Sequence, residues 1–136
     1  LWKNFLFAGL KDDGYPWDWT SLGTTQNSSN PLHKLTAEVI GKSEGVWAGG
    51  GLVDSLSRVT GFTRAESLVK NGETFKPGTP LVSLTGLSRE LLAFERPFLN
   101  LAAYVSGIAT QTNRFVKLIK KACPSRPPRL TLTRKT

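Results

Sequence analysis

Two turn signals, Asn71-Gly72 and Pro77-Gly78, stand close together between short apolar runs. That arrangement constrains the chain more than any other feature. Glycine supplies the positive φ that tight turns demand, and proline presets the φ of a turn's second residue. A helix cannot run through such a stretch, so Ser67–Lys70 and Leu81–Leu84 are expected as short strands, with Asn71-Gly72 as a hairpin-type turn and Pro77-Gly78 as a second turn. Pro80 precedes the second strand, where no donor to the ladder is needed. The phrase LVKNGETFKPGTPLVSLTG therefore reads as half of a small β-barrel.

Helical patterns flank this region. Trp2, Phe5, Leu6 and Leu10 recur at helical spacing, which predicts a short amphipathic helix over 2–12, ended by Asp12, Asp13 and Gly14. Gly14 to Pro31 has loop chemistry, and Thr36 to Lys42 alternates as a strand does. Gly45 to Gly51 is rich in glycine; Leu52, Val53, Leu56 and Val59 then follow a helical period that Gly61 can stop. Ser88 is placed to cap a helix burying Leu91, Leu92, Phe94, Phe98, Leu99, Leu101, Ala102 and Val105, with a kink at Pro97. A further helix, about Ala109 to Ala122, sets Phe115, Val116 and Ile119 on one side. CPSRPPR then reads as a stiff connector and LTLTRKT as a strand. A chain ending on a strand and beginning at Leu1 is expected to be trimmed or partial.

The 136 residues suit one domain, and 39% hydrophobic with 21% charged residues is a globular mixture. No run approaches the roughly 20 apolar residues of a membrane span, and no leader pattern opens the chain. A single cysteine, Cys123, and a single histidine, His33, exclude an internal disulfide and a structural zinc site. A soluble intracellular protein is expected. The net charge of +8 would ordinarily suggest nucleic acid. Its placement argues otherwise: residues 1–113 carry ten basic and ten acidic residues, and the whole excess lies in residues 114–136.

Few residues suggest catalysis. His33 lies in a predicted loop, and Cys123 follows a basic helix that could lower its pKa but need not give it a role. Gly49-Gly50-Gly51 lacks a phosphate-loop lysine and reads as close packing. The pair Glu95-Arg96 falls midway along the most apolar helix, where charge must self-pair, reach a surface or face a ligand. Arg134 and Lys135, between Thr133 and Thr136, suit a carboxylate or phosphate, or are two solvated charges.

Taken together, ERPFLNLAAYVSGIATQTNRFV (95–116) and TRKT (133–136) resemble the quinolinate phosphoribosyltransferase family. Asp12-Asp13, Gly14, Asp18 and Thr20, the GVWAGG turn (45–50) and the NGETFKPGTPL run are similar to that family's blocks in order and spacing. The sequence departs from the family's pattern at Trp17, Pro97, Ala103 and Leu132.

The resemblance implies an α+β fold: the N-terminal α/β sandwich domain of a type II phosphoribosyltransferase over 1–108. A linking helix and the first strand of an α/β barrel would follow over 109–136, the barrel being mostly absent. It also implies phosphoribosyl transfer to quinolinate with decarboxylation, in cytoplasmic NAD biosynthesis, with this chain inactive alone. Arg96 matches an arginine that reaches the neighbouring subunit's site in a homodimer. Thr133, Arg134 and Lys135 match the strand end that holds the dicarboxylate and adjacent phosphates. Magnesium would arrive with phosphoribosyl pyrophosphate, its ligands lying beyond this chain; no nucleic acid or membrane partner is implied. The alternatives are a related phosphoribosyltransferase with another acceptor, and a biotinyl/lipoyl-like binding module suggested by the VKNGETFKPGTPLVSL cadence.

Overall fold

A computed structural model of the chain describes residues 2–12, 33–59 and 64–131. The predicted loop over 14–31, the stop at Gly61 and the site residues Thr133, Arg134 and Lys135 lie outside them. The elements run α1 (Trp2–Asp12), β1 (Lys34–Ile40), β2 (Gly45–Val46), α2 (Gly50–Val59), β3 (Arg64–Ser67), β4 (Thr74–Phe75), β5 (Pro80–Leu87) and α3 (Ser88–Ala122). The fold is α+β, as expected. Among the described residues no barrel is present: Leu130 and Thr131, which open the predicted last strand, are irregular.

β5 is the centre of a three-stranded antiparallel sheet, ordered β1-β5-β3. Val82 opposes Val39 on one side and Ser67 on the other; Leu84 likewise opposes Ala37 and Ala65. The β1 register shifts between Val39 and Ile40, so that Ile40 opposes Pro80. Proline, which has no N–H to give, thus sits at the strand's first residue and beside the irregularity. Thr36 and Thr85 pair across the sheet through their hydroxyls at 3.0 Å.

The turns form where the sequence puts them, but they connect different partners. Glu73 N–H donates to Lys70 O at 3.0 Å, and Thr79 N–H to Lys76 O at 3.1 Å. Gly72 (φ 87°) and Gly78 (φ 85°) occupy the positive-φ third position of each turn. The strand expected over 67–70 ends at Ser67 instead. There the Ser67 hydroxyl accepts from Trp47 Nε1 and donates to Val69 O, both at 2.8 Å, which bends the chain away from β3. Asn71-Gly72 consequently leads not into a hairpin with β3 but into β4, which pairs antiparallel with β2.

α3 corrects three expectations. It is one continuous helix from Ser88 to Ala122, passing through Pro97 and Gly107, rather than two. Glycine weakens a helix without obliging it to stop, and the Thr110 and Thr112 hydroxyls return bonds to carbonyls four residues back, at 2.7 and 2.8 Å. Ser88 is not the cap: β5 runs straight into the helix, so the cap position falls on the extended Leu87, which gives no side-chain bond. The Ser88 N–H donates to His33 O at 3.0 Å. The expected inward face is largely kept: Phe94, Phe98 and Ala102 are buried, and Leu91, Leu101 and Val105 pack half-buried against the core. Leu92 and Leu99, expected on that face, are instead exposed, while Pro97 and Ser106 are buried.

The core forms where α1, α2 and α3 meet the sheets. Trp47, Phe98, Leu6, Leu52, Leu56, Val53 and Val82 are its fully buried members. The predicted helical period of Leu52, Val53 and Leu56 is the inward stripe of α2.

Candidate functional site

Arg96 lies on the first half of α3, and both it and Glu95 are exposed, while the next residue, Pro97, is buried. The two charges that look costly on an apolar helix therefore lie at the surface. Pro97 packs against α1 at Gly9, where an added Cβ would come within 3.2 Å of Pro97 Cβ. The other predicted site residues, Thr133, Arg134 and Lys135, fall outside the described residues.

The remaining candidates take structural places. His33 is exposed and serves through its carbonyl; Cys123 is exposed just past α3, and its N–H closes the helix onto Ile119 O at 2.9 Å. Gly49 is tight packing, since an added Cβ would lie 2.4 Å from Trp47 Cη2. The first amide of α2, at Gly50, donates to Asn71 Oδ1 at 2.9 Å, so a side chain of this same chain occupies the place an anion would take.

The motif SGIAT proves to have a job that residue types alone did not reveal. Thr110 Oγ1 accepts from Val46 N–H at 2.9 Å and donates to Ser106 O at 2.7 Å. Ser106 Oγ accepts from Ala48 N–H at 3.2 Å. β2 and the segment just after it thus give their other edge not to a strand but to two hydroxyls one helical turn apart, which take amides that burial would otherwise strand. Serine and threonine four apart on a helix, opposite a glycine-flanked strand, were the only signal in the sequence. Gly45 completes the fit, because a Cβ there would meet Phe75 Cζ at 2.8 Å and Thr110 Oγ1 at 3.2 Å. Replacing Thr110 by valine keeps the shape and removes the acceptor. The expected loss is about 1–2 kcal/mol in urea unfolding, with Thr110→Ser close to the parent; equal stability of the valine variant would contradict this role.

Beside this contact is a cavity of about 440 Å³, floored by Trp47, Phe75 and Leu81 and bordered by Lys42, Gln111 and Arg114. The tail cations Arg114, Lys117, Lys120, Lys121, Arg126 and Arg129 are all exposed. Among the described residues no group of three or more His, Cys, Asp or Glu could hold a metal ion, and no helix is long and apolar enough to cross a membrane.

Residues 18–106 match the family model described as quinolinate phosphoribosyl transferase, N-terminal domain, and the chain belongs to that family. An Archaeoglobus fulgidus protein named "probable nicotinate-nucleotide pyrophosphorylase (carboxylating)" is 37% identical over 94 residues, covering 69% of this chain and 36% of that protein. The Mycobacterium leprae nicotinate-nucleotide pyrophosphorylase (carboxylating) is 32% identical over 101 residues, covering 71% of this chain and 35% of its own length. Among solved structures, the nicotinate-nucleotide pyrophosphorylase of Francisella tularensis superposes with a TM-score of 0.75 at 24% identity, over 88% of this chain and 41% of that one. The Ehrlichia chaffeensis nicotinate-nucleotide pyrophosphorylase gives 0.72 at 26% identity, over 85% and 41%. The chain therefore spans little more than a third of the length of these curated relatives.

Proposed function

We propose that this chain acts as the N-terminal domain of an enzyme that transfers phosphoribose from phosphoribosyl pyrophosphate to quinolinate. In this reaction the pyridine nitrogen attacks the anomeric carbon and the bond to pyrophosphate breaks; the adjacent carboxylate then leaves as carbon dioxide, and the electron pair left on its ring carbon takes up a proton. The products are nicotinate mononucleotide, pyrophosphate and carbon dioxide. Such chemistry needs positive charge to hold two carboxylates beside a pyrophosphate and to stabilise the leaving group. The observation that supports the reading is Arg96, exposed on α3 within the segment that carries the family match.

In this proposal Arg96 extends out of its own domain into the neighbouring subunit's site of a homodimer. Thr133, Arg134 and Lys135 hold the dicarboxylate and the adjacent phosphates. Magnesium travels with phosphoribosyl pyrophosphate, and its protein ligands fall to residues outside this chain. The setting is cytoplasmic NAD biosynthesis, with neither nucleic acid nor membrane as a partner. The test is a steady-state assay of pyrophosphate and carbon dioxide release by the full-length protein carrying this domain. Arg96→Ala and Arg134→Ala are each expected to lower turnover by about tenfold or more, because each removes a charged contact to the reacting substrate. Undiminished turnover in both would sink the assignment.

A further inference from the structure

Gly9 and Pro97 are the two residue types least suited to a helix interior, and they meet face to face. An alanine methyl at position 9 would lie 3.2 Å from Pro97 Cβ and 3.8 Å from its Cγ. α1 therefore approaches the proline ring almost backbone first. Pro97 is buried, and α3 continues past it to Ala122. A proline there gives no N–H to the carbonyl of Ala93 and crowds it with its ring. The same ring disfavours helical geometry in the residue before it, and that residue is Arg96.

Each half of this contact works against its own helix. Alanine at position 9 would raise the propensity of α1, and alanine at position 97 would restore a hydrogen bond in α3. The contact lies directly beside Arg96 in the chain, between half-buried Gly9 and buried Pro97, while Arg96 itself is exposed.

We infer that the Gly9–Pro97 contact is a positioning device for Arg96, holding residue 96 in the trajectory that delivers its guanidinium to substrate. The inference rests on the reading of Arg96 as a substrate-binding group. It makes stability and function move in opposite directions, which a purely structural contact would not do.

The experiment compares Pro97→Ala, Gly9→Ala and Arg96→Ala in the full-length protein, by steady-state kinetics and thermal unfolding. Pro97→Ala is expected to raise Tm while raising the KM for quinolinate about fivefold, with the KM for phosphoribosyl pyrophosphate within about twofold of the parent. Gly9→Ala crowds the ring from the other side and should raise the quinolinate KM about twofold to threefold, again selectively. If Pro97→Ala does not fold, Gly9→Ala carries the test with the same readout. An unchanged quinolinate KM in the folded variants, with a large effect of Arg96→Ala, overturns the positioning role and leaves the reading of Arg96 standing. No effect of Arg96→Ala overturns both. A lowered Tm with both KM values raised alike marks a packing contact only, and also overturns it.

Discussion

Trp47→Ala is expected to lower folding stability by about 3–5 kcal/mol, the range for truncating a large aromatic in a packed core. Trp47 is 1% exposed and is the largest of the fully buried side chains. Its Nε1 donates to Ser67 Oγ at 2.8 Å, and that hydroxyl donates onward to Val69 O at the same distance. One indole therefore fills the core and fixes the bend at which β3 leaves its strand. Truncation opens a void and removes the donor that steadies this bend. Chemical denaturation of parent and variant reads the difference directly. A loss below about 1 kcal/mol would mean that the core closes over the void, contrary to the usual partial relaxation of such sites.

The second large effect is expected from the smallest possible change, Gly49→Ala. Adding a methyl in place of a glycine hydrogen usually stabilises by about 0.4–1 kcal/mol, since the unfolded chain has less freedom to lose. At position 49 the sign should reverse. The new carbon would lie 2.4 Å from Trp47 Cη2, 2.5 Å from Cζ2 and 3.0 Å from Cζ3. That ring is itself packed on all sides and cannot withdraw. Overpacking of this kind costs about 3 kcal/mol, at the upper end of the usual range. The glycine has no positive φ, so the demand is for space and not for backbone freedom. A neutral or stabilised Gly49→Ala in the same denaturation experiment would refute the close contact.

Much of the local structure was legible because local chemistry decides it. Both glycine-bearing turns and α2 follow from residues within a few positions of one another. Pairing was not legible in the same way. The Asn71-Gly72 signal specifies a turn, but whether β4 lies against β3 or β2 depends on Trp47 and Ser67, which are distant in sequence. The continuity of α3 is not legible because Gly107 weighs against helix locally, whereas Ser106 and Thr110 are held from outside by the Val46 and Ala48 amides. In the candidate site, the burial of Pro97 beside an exposed Arg96 follows from the approach of α1. A single helix's periodicity does not contain that information.

The unbroken length of α3 turns the helix into a ruler. Its 35 residues correspond to a rod of about 52 Å, clamped near its middle where Ser106 and Thr110 grip the amides of Ala48 and Val46. Adding one residue beyond the clamp would advance everything after it by about 1.5 Å and swing it through about 100°, turning each outward side chain to a new heading. Residues after Thr110 can thus be exchanged one for another far more readily than they can be added or removed. Whatever the far end meets is registered to the near end by counting.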